Sequence, residues 1–106
     1  MTASLLALIK YEQATERDEG DLYANIETLC KLDVRFSREL GRFSHSLDQG
    51  NADAFQATQL AIMFASRADQ MRLKPTPSAT RLFKLAITCP DTADHLSKFI
   101  PESFEV

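Results

Sequence analysis

The side chains able to do acid–base, nucleophilic or metal chemistry are few in this chain of 106 residues. Cys30, Cys89, His45 and His95 are its only cysteines and histidines. None fall at C-x-x-C, H-x-x-x-H or H-E-x-x-H spacing, so the sequence encodes no local zinc centre. A Cys–His nucleophile pair would have to be assembled by the fold. Glu16, Asp18, Glu19 and Asp21 form an acidic knot, but they lack the one-three-five-twelve order of a calcium loop. No Gly-rich phosphate loop, G-x-S-x-G turn or dinucleotide fingerprint is present. The expectation is therefore no catalytic residue, no metal and no cofactor. An enzyme whose site is built from scattered residues is the alternative that these spacings leave open.

Two constellations have more shape. Arg35, Arg38, Arg42 and His45 recur at steps of three, four and three, which places them on one stripe of a helix. Such a stripe could dock phosphate or an acidic partner; its ordinary alternative is a solvated helix face. Opposite it runs an apolar ladder: Leu22, Ile26, Leu29, Asp33, Phe36, Leu40, Phe43 and Leu47. The steps of four and three make a 3.5-residue repeat on one helix face. Asp33 is the one carboxylate in that seam. It could stay buried, either alone or paired with an arginine, Arg67 or Arg72, or the seam could loosen there so that Asp33 reaches water or caps a local contact.

The ladder predicts a single helix from about Leu22 to Gln49, preceded by a shorter one through Leu5, Leu8, Ile9 and Ala14 that stops at Gly20. Within the long helix, Glu27–Lys31 and Arg35–Glu39 are spaced for ion pairs. Gly41 inside it costs helix stability and marks a bend or a close backbone contact. Gly50-Asn51 reads as stop and cap. A further helix runs from Ala52 to Leu73, with Ala57, Ala61, Phe64, Ala68 and Met71 on one face. Lys74-Pro75-Thr76-Pro77 interrupts. Ser78 then caps a helix over 79–88 with Leu82, Leu85 and Ala86 inward. Cys89-Pro90 breaks it, and Asp91 caps a last short helix docked by Leu96, Phe99 and Ile100. Residues 1–100 read as one domain and 101–106 as a tail. The fold class is all-α, four to five helices around a long antiparallel hairpin of 22–49 and 52–73. Only three glycines and four prolines are too few for an all-β chain with many hairpins.

Apolar and charged fractions of 44% and 25% are those of an ordinary globular domain. Twelve basic against 15 acidic residues give a net charge of −3, which weighs against nucleic acid as the main partner. No apolar run approaches the ~20 residues of a membrane span. Two cysteines without a secretory signal point to reduced thiols in a cytosol, the host's if a phage or pathogen encodes the chain. The Phe104-Glu105-Val106 end has the shape of a carboxylate ligand for strand-addition recognition, but three residues carry little. Small acidic helical chains with a wide apolar stripe resemble secretion chaperones, phage inhibitors and antitoxin-like partners in composition alone. The functional expectation is a non-catalytic protein–protein interaction module of chaperone, adaptor or inhibitor type. It would bind through the ladder face, with a homodimer favoured because a ~42 Å helix outruns a ~34 Å domain and needs a cover. A helical nucleic-acid regulator using the Arg35–His45 stripe is the alternative.

Overall fold

The computed structural model describes residues 19–73 and 79–100. Five helices occupy them: α1 (Glu19–Leu32), α2 (Val34–Gln49), α3 (Ala54–Gln70), α4 (Ala79–Thr88) and α5 (Pro90–Ser97). The chain is all-α, and no strand occurs among the described residues. The helix expected near Leu5–Ala14, the Lys74–Pro77 interruption with its Ser78 cap, and the 101–106 tail lie outside the described residues.

The long helix expected over 22–49 is two helices. Asp33 has an extended backbone, φ −125° and ψ 104°, and its Oδ1 accepts the Phe36 amide at 3.0 Å. It is the N-cap of α2, satisfying one of the amides that the first turn of a helix leaves bare. The amide of Asp33 still donates to Leu29 O and its carbonyl accepts from Ser37, so α1 ends and α2 begins around one residue. The anticipated stop, Gly20, instead lies in the first turn of α1.

The break also removes the excess length that would require a second copy. At 1.5 Å per residue, α1 and α2 are about 21 and 24 Å long, within overall extents of 32 × 28 × 26 Å. The ladder is covered inside one chain. Leu22, Ile26, Leu29, Phe36, Leu40 and Phe43 are buried, and Leu47 is half-buried against the same core. As an external interaction face these residues are corrected to core.

Helix α3 carries the small face that lets its neighbours approach: Ala57, Ala61, Ala65 and Ala68 are buried with Leu60 and Phe64. It packs on α1, α2 and most extensively α4. Four phenylalanines tie three helices together. Phe36 of α2 meets Phe64 of α3 at 5.8 Å, Phe64 meets Phe83 of α4 at 6.5 Å, and Phe83 meets Phe43 of α2 edge-on at 6.0 Å. Each buried ring contributes on the order of 1.5–3 kcal/mol from burial, with edge-to-face geometry adding to it. Helix α5 closes over α2 and α4.

Helix ends show how the chain chooses among rival caps. Gly50 stops α2 at φ +76°, with its amide on Leu47 O. Helix α3 starts at Ala54 rather than Ala52, because Asp53, not Asn51, supplies the cap, its Oδ1 accepting from Gln56 N at 2.8 Å. It ends at Gln70 rather than Leu73, where Arg72 turns to φ 60° and Leu73 N returns to Ala68 O. Cys89 takes the cap position of α5 with Pro90 in the first turn, so Asp91 lies inside the helix instead of capping it. Proline suits that first turn because the amide it lacks would be bare anyway. In α4 the inward set is Leu82, Phe83 and Ala86, while Leu85 is exposed.

Gly41 is buried beside Ile100, with room for a methyl group. A Cβ built there would meet Ile100 Cγ2 at 3.7 Å, an ordinary van der Waals distance. Gly41→Ala is therefore expected to raise stability by about 0.5–1 kcal/mol, the mid-helix cost of glycine. Urea denaturation checks this, and a loss of stability would mean that Ile100 cannot share the space.

Candidate interaction surface

Helix α2 presents two opposed faces, and the Asp33 carboxylate fixes how they are set. One oxygen caps the helix. The other lies 3.4 Å from Nε of Arg67 on α3. The Asp33 and Arg67 side chains retain only 12% and 27% of their exposure, so the pair is better shielded from water and salt than a surface pair. The cap reading is realised on one oxygen and an arginine pair, partly rather than fully buried, forms on the other, with Arg67 rather than Arg72 as the partner. The inward face then seats Phe36, Ser37, Leu40, Gly41 and Phe43.

Outward, Arg35, Arg38, Arg42 and His45 are all exposed. Arg42 lies 3.2 Å from Glu39 in a solvent-exposed pair, taking the carboxylate that the spacing had offered to Arg35. Arg35, Arg38 and His45 make no hydrogen bond, ion pair or ring contact among the described residues. The other expected pair, Glu27–Lys31, forms at 3.5 Å. At the head of the cationic arc the corner between α1 and α2 exposes two aliphatic side chains, Leu32 at 66% and Val34 at 51%. Val34 and Arg38 are four residues apart and share a face.

Along its other edge the arc borders a groove between α2 and α3. Glu39 and Phe43 line it from α2, and Gln56, Gln59, Leu60 and Met63 line it from α3. Gln56 Nε2 donates to Ser46 Oγ at 3.1 Å, closing one end. The groove encloses about 170 Å³, below the ~300–1,000 Å³ of most small-molecule sites. It has room for one side chain of a partner. Leu32, Val34 and the groove are features that spacing rules do not show. Spacing alone treats the ladder and the stripe as one straight helix, which has no corner.

The remaining reactive groups stand apart from this surface. Both cysteines are free. Burial pushes the Cys30 thiol up to about 12, with the nearby Ser37 hydroxyl acting in the opposite sense. Ser37 Oγ is itself buried and meets no nitrogen or oxygen at hydrogen-bonding geometry. Cys89 forms no cap hydrogen bond of full geometry, yet the hydroxyl and amide of Thr92 hold its thiol below the ordinary value. His95 is stacked on Tyr23, ring centroids 4.0 Å apart, and packs near Phe99 at 5.6 Å. No cysteine–histidine hydrogen bond and no metal-holding group of three acids, cysteines or histidines occurs among the described residues. Nor is any helix there long and apolar enough to cross a membrane. Compared with known proteins, the chain matches no family model, no curated protein and no solved structure.

Removing the two jobs of Asp33 separately should separate their costs. Asparagine caps as well as aspartate but carries no charge for Arg67. Asp33→Asn is expected to cost about 0.5–1 kcal/mol. Asp33→Ala, which loses the cap as well, should cost about 1–3 kcal/mol. Equal losses in chemical denaturation would show that the cap contributes nothing.

The buried thiol gives a pH signature. Its folded value lies above the ordinary 9.0 of an exposed thiol. Stability linked to the neutral thiol is therefore complete below pH 9.0 and is lost as pH climbs toward about 12. The stability advantage of the natural chain over Cys30→Ala should shrink above pH 9.0, by at most about 1.4 kcal/mol per pH unit. A difference independent of pH would mean that Cys30 is solvated.

Proposed function

We propose that this chain is a non-catalytic binding module, of chaperone, adaptor or inhibitor type, that docks an acidic segment of another protein on the outer surface of α2. The single observation that carries the proposal is the set of exposed basic side chains Arg35, Arg38 and His45 without partners among the described residues, in a chain whose net charge is −3 with histidine neutral. Arginine is the side chain best suited to carboxylates, because its planar fork engages both oxygens. The arc stands on a helix whose other face is locked into the core. Its geometry is therefore held before a partner arrives, which lowers the ordering cost of binding.

Leu32, Val34 and the Phe43–Met63 groove favour protein over nucleic acid. Protein interfaces combine apolar anchors with a charged rim in which arginine is enriched. A phosphate backbone offers aliphatic side chains nothing to cover. Nucleic acid held by the stripe of Arg35, Arg38, Arg42 and His45 is the second reading, and the test decides between them.

An acidic peptide with leucines interspersed among glutamates, and a duplex DNA, would be titrated against the chain by fluorescence anisotropy. The peptide should bind and weaken with salt. Arg35→Glu together with Arg38→Glu should reduce its affinity at least about tenfold, or about 1.4 kcal/mol, with helicity unchanged. Leu32→Ser with Val34→Ser should weaken it further. Binding of DNA in preference to the peptide would transfer the surface to nucleic acid. Binding of neither would return the arc to a solvated helix face.

A further inference from the structure

We infer that the groove between α2 and α3 is an anchor pocket for one aromatic side chain of the acidic partner, and that the segment it selects carries a carboxylate on either side of that ring. The inference rests on the reading of α2 as a docking surface for acidic protein segments, and it adds the side chain that fixes their register. Size favours a ring. The groove encloses about 170 Å³, and an apolar cavity of about 150 Å³ takes a benzene molecule. Its lining favours a ring too. Phe43 and Leu60, both buried in the core, form the floor, and half-buried Met63 stands beside them. A guest ring would meet the Phe43 ring and the Met63 thioether, and an aliphatic side chain cannot duplicate those contacts.

The lip of the groove sets what flanks the ring. Arg35, Glu39, Arg42 and Ser46 recur at steps of four, three and four, so they form one ridge along α2. Glu39 lines the groove, and Ser46 closes its end through Gln56. The ridge is therefore the groove's edge. Arg35 and Arg42 stand on either side of Glu39, about 6 and 4.5 Å away along the axis. Arg35 makes no ion pair among the described residues. Arg42 holds Glu39 only in an exposed pair, weak enough to exchange for a carboxylate of the partner. Across the groove on α3, Gln59 offers a side-chain amide without a hydrogen bond among the described residues. Phe55, four residues before Gln59 on the same face, is 72% exposed and makes no ring contact among them. Aromatic residues, methionine and arginine are the types enriched at protein interfaces, and this groove gathers all three.

The test uses the full chain and three glutamate-rich peptides that differ only at one central position, which is phenylalanine, leucine or alanine. Affinities are read by fluorescence anisotropy. Insertion is read from isotope-labelled methionine methyl groups, with the Met63 signal identified by its loss in Met63→Leu. The phenylalanine peptide should bind at least about fivefold more tightly than the alanine peptide, the effect of one anchor side chain, and more tightly than the leucine peptide. It should move the Met63 methyl signal upfield by its ring current, and the alanine peptide should leave that signal in place. Phe55→Ser should weaken the phenylalanine peptide several-fold with helicity unchanged. A preference for leucine overturns the inference, as does a Met63 signal that the bound phenylalanine peptide does not move. A Met63 signal that shifts with chain concentration alone also overturns it, because the occupant is then a second copy. If the three peptides bind equally and Arg35→Glu with Arg38→Glu abolishes binding, the inference fails and the proposed function stands. If none binds, both fall.

Discussion

Two oxygens of one carboxylate organise this chain. Asp33 accepts the amide of Phe36 on one oxygen and pairs with Arg67 through the other. The first interaction ends one helix and starts another. The second ties that new start to α3. A carboxylate left unpaired in an apolar seam would cost several kcal/mol. Here it is neither fully buried nor unpaired, because the break lets it reach both partners. The remaining architecture depends on this choice. With the ladder cut into 14 and 16 residues, α1 and α2 fit inside one compact unit and cover their own apolar faces. Phe36, three residues past the cap, is delivered to Phe64, and through it to Phe83 and Phe43.

The same device gives α2 its two characters. A helix pinned by a cap, an ion pair and two buried phenylalanines has a fixed rotation about its axis. Whatever lies opposite the core is then held outward. In this chain that is Arg35, Arg38, Arg42 and His45, with Glu39 offsetting only Arg42. The corner created by the break exposes Leu32 and Val34 beside them. Surface and core are thus consequences of one local event. That is why a mostly helical, net acidic chain can still offer a cationic, partly apolar strip.

Much of this was legible in the residues. The steps of four and three picked out the buried apolar side chains from Leu22 to Phe43, and Ala57, Ala61, Phe64 and Ala68 on α3, whereas Met71 falls at that helix's end and is exposed. Gly50 and Cys89-Pro90 marked real helix ends. The break at Asp33 was not legible from periodicity, because an N-cap does not disturb the spacing of apolar residues on either side of it. Its signal lay in residue type: a strong capping residue inside an apolar seam. Asn51 reads as the cap by its place after Gly50, but Asp53 is the residue whose oxygen meets Gln56, and no spacing rule announced it. Leu85 and Phe83 exchanged roles because a ten-residue helix admits more than one inward stripe. The cationic arc was readable from spacing alone. Which arginine Glu39 would take was not, since positions three and four residues away compete for it.

The direct measure of this account is the backbone chemical shift along residues 19–49. Helical shifts should run to Leu32, break at Asp33 with values of extended backbone, and resume from Val34, with the Phe36 amide protected by its carboxylate partner. An uninterrupted helical run through Asp33 would contradict the account. It would restore one helix of about 46 Å, too long for the unit described, and would return the apolar ladder to the surface.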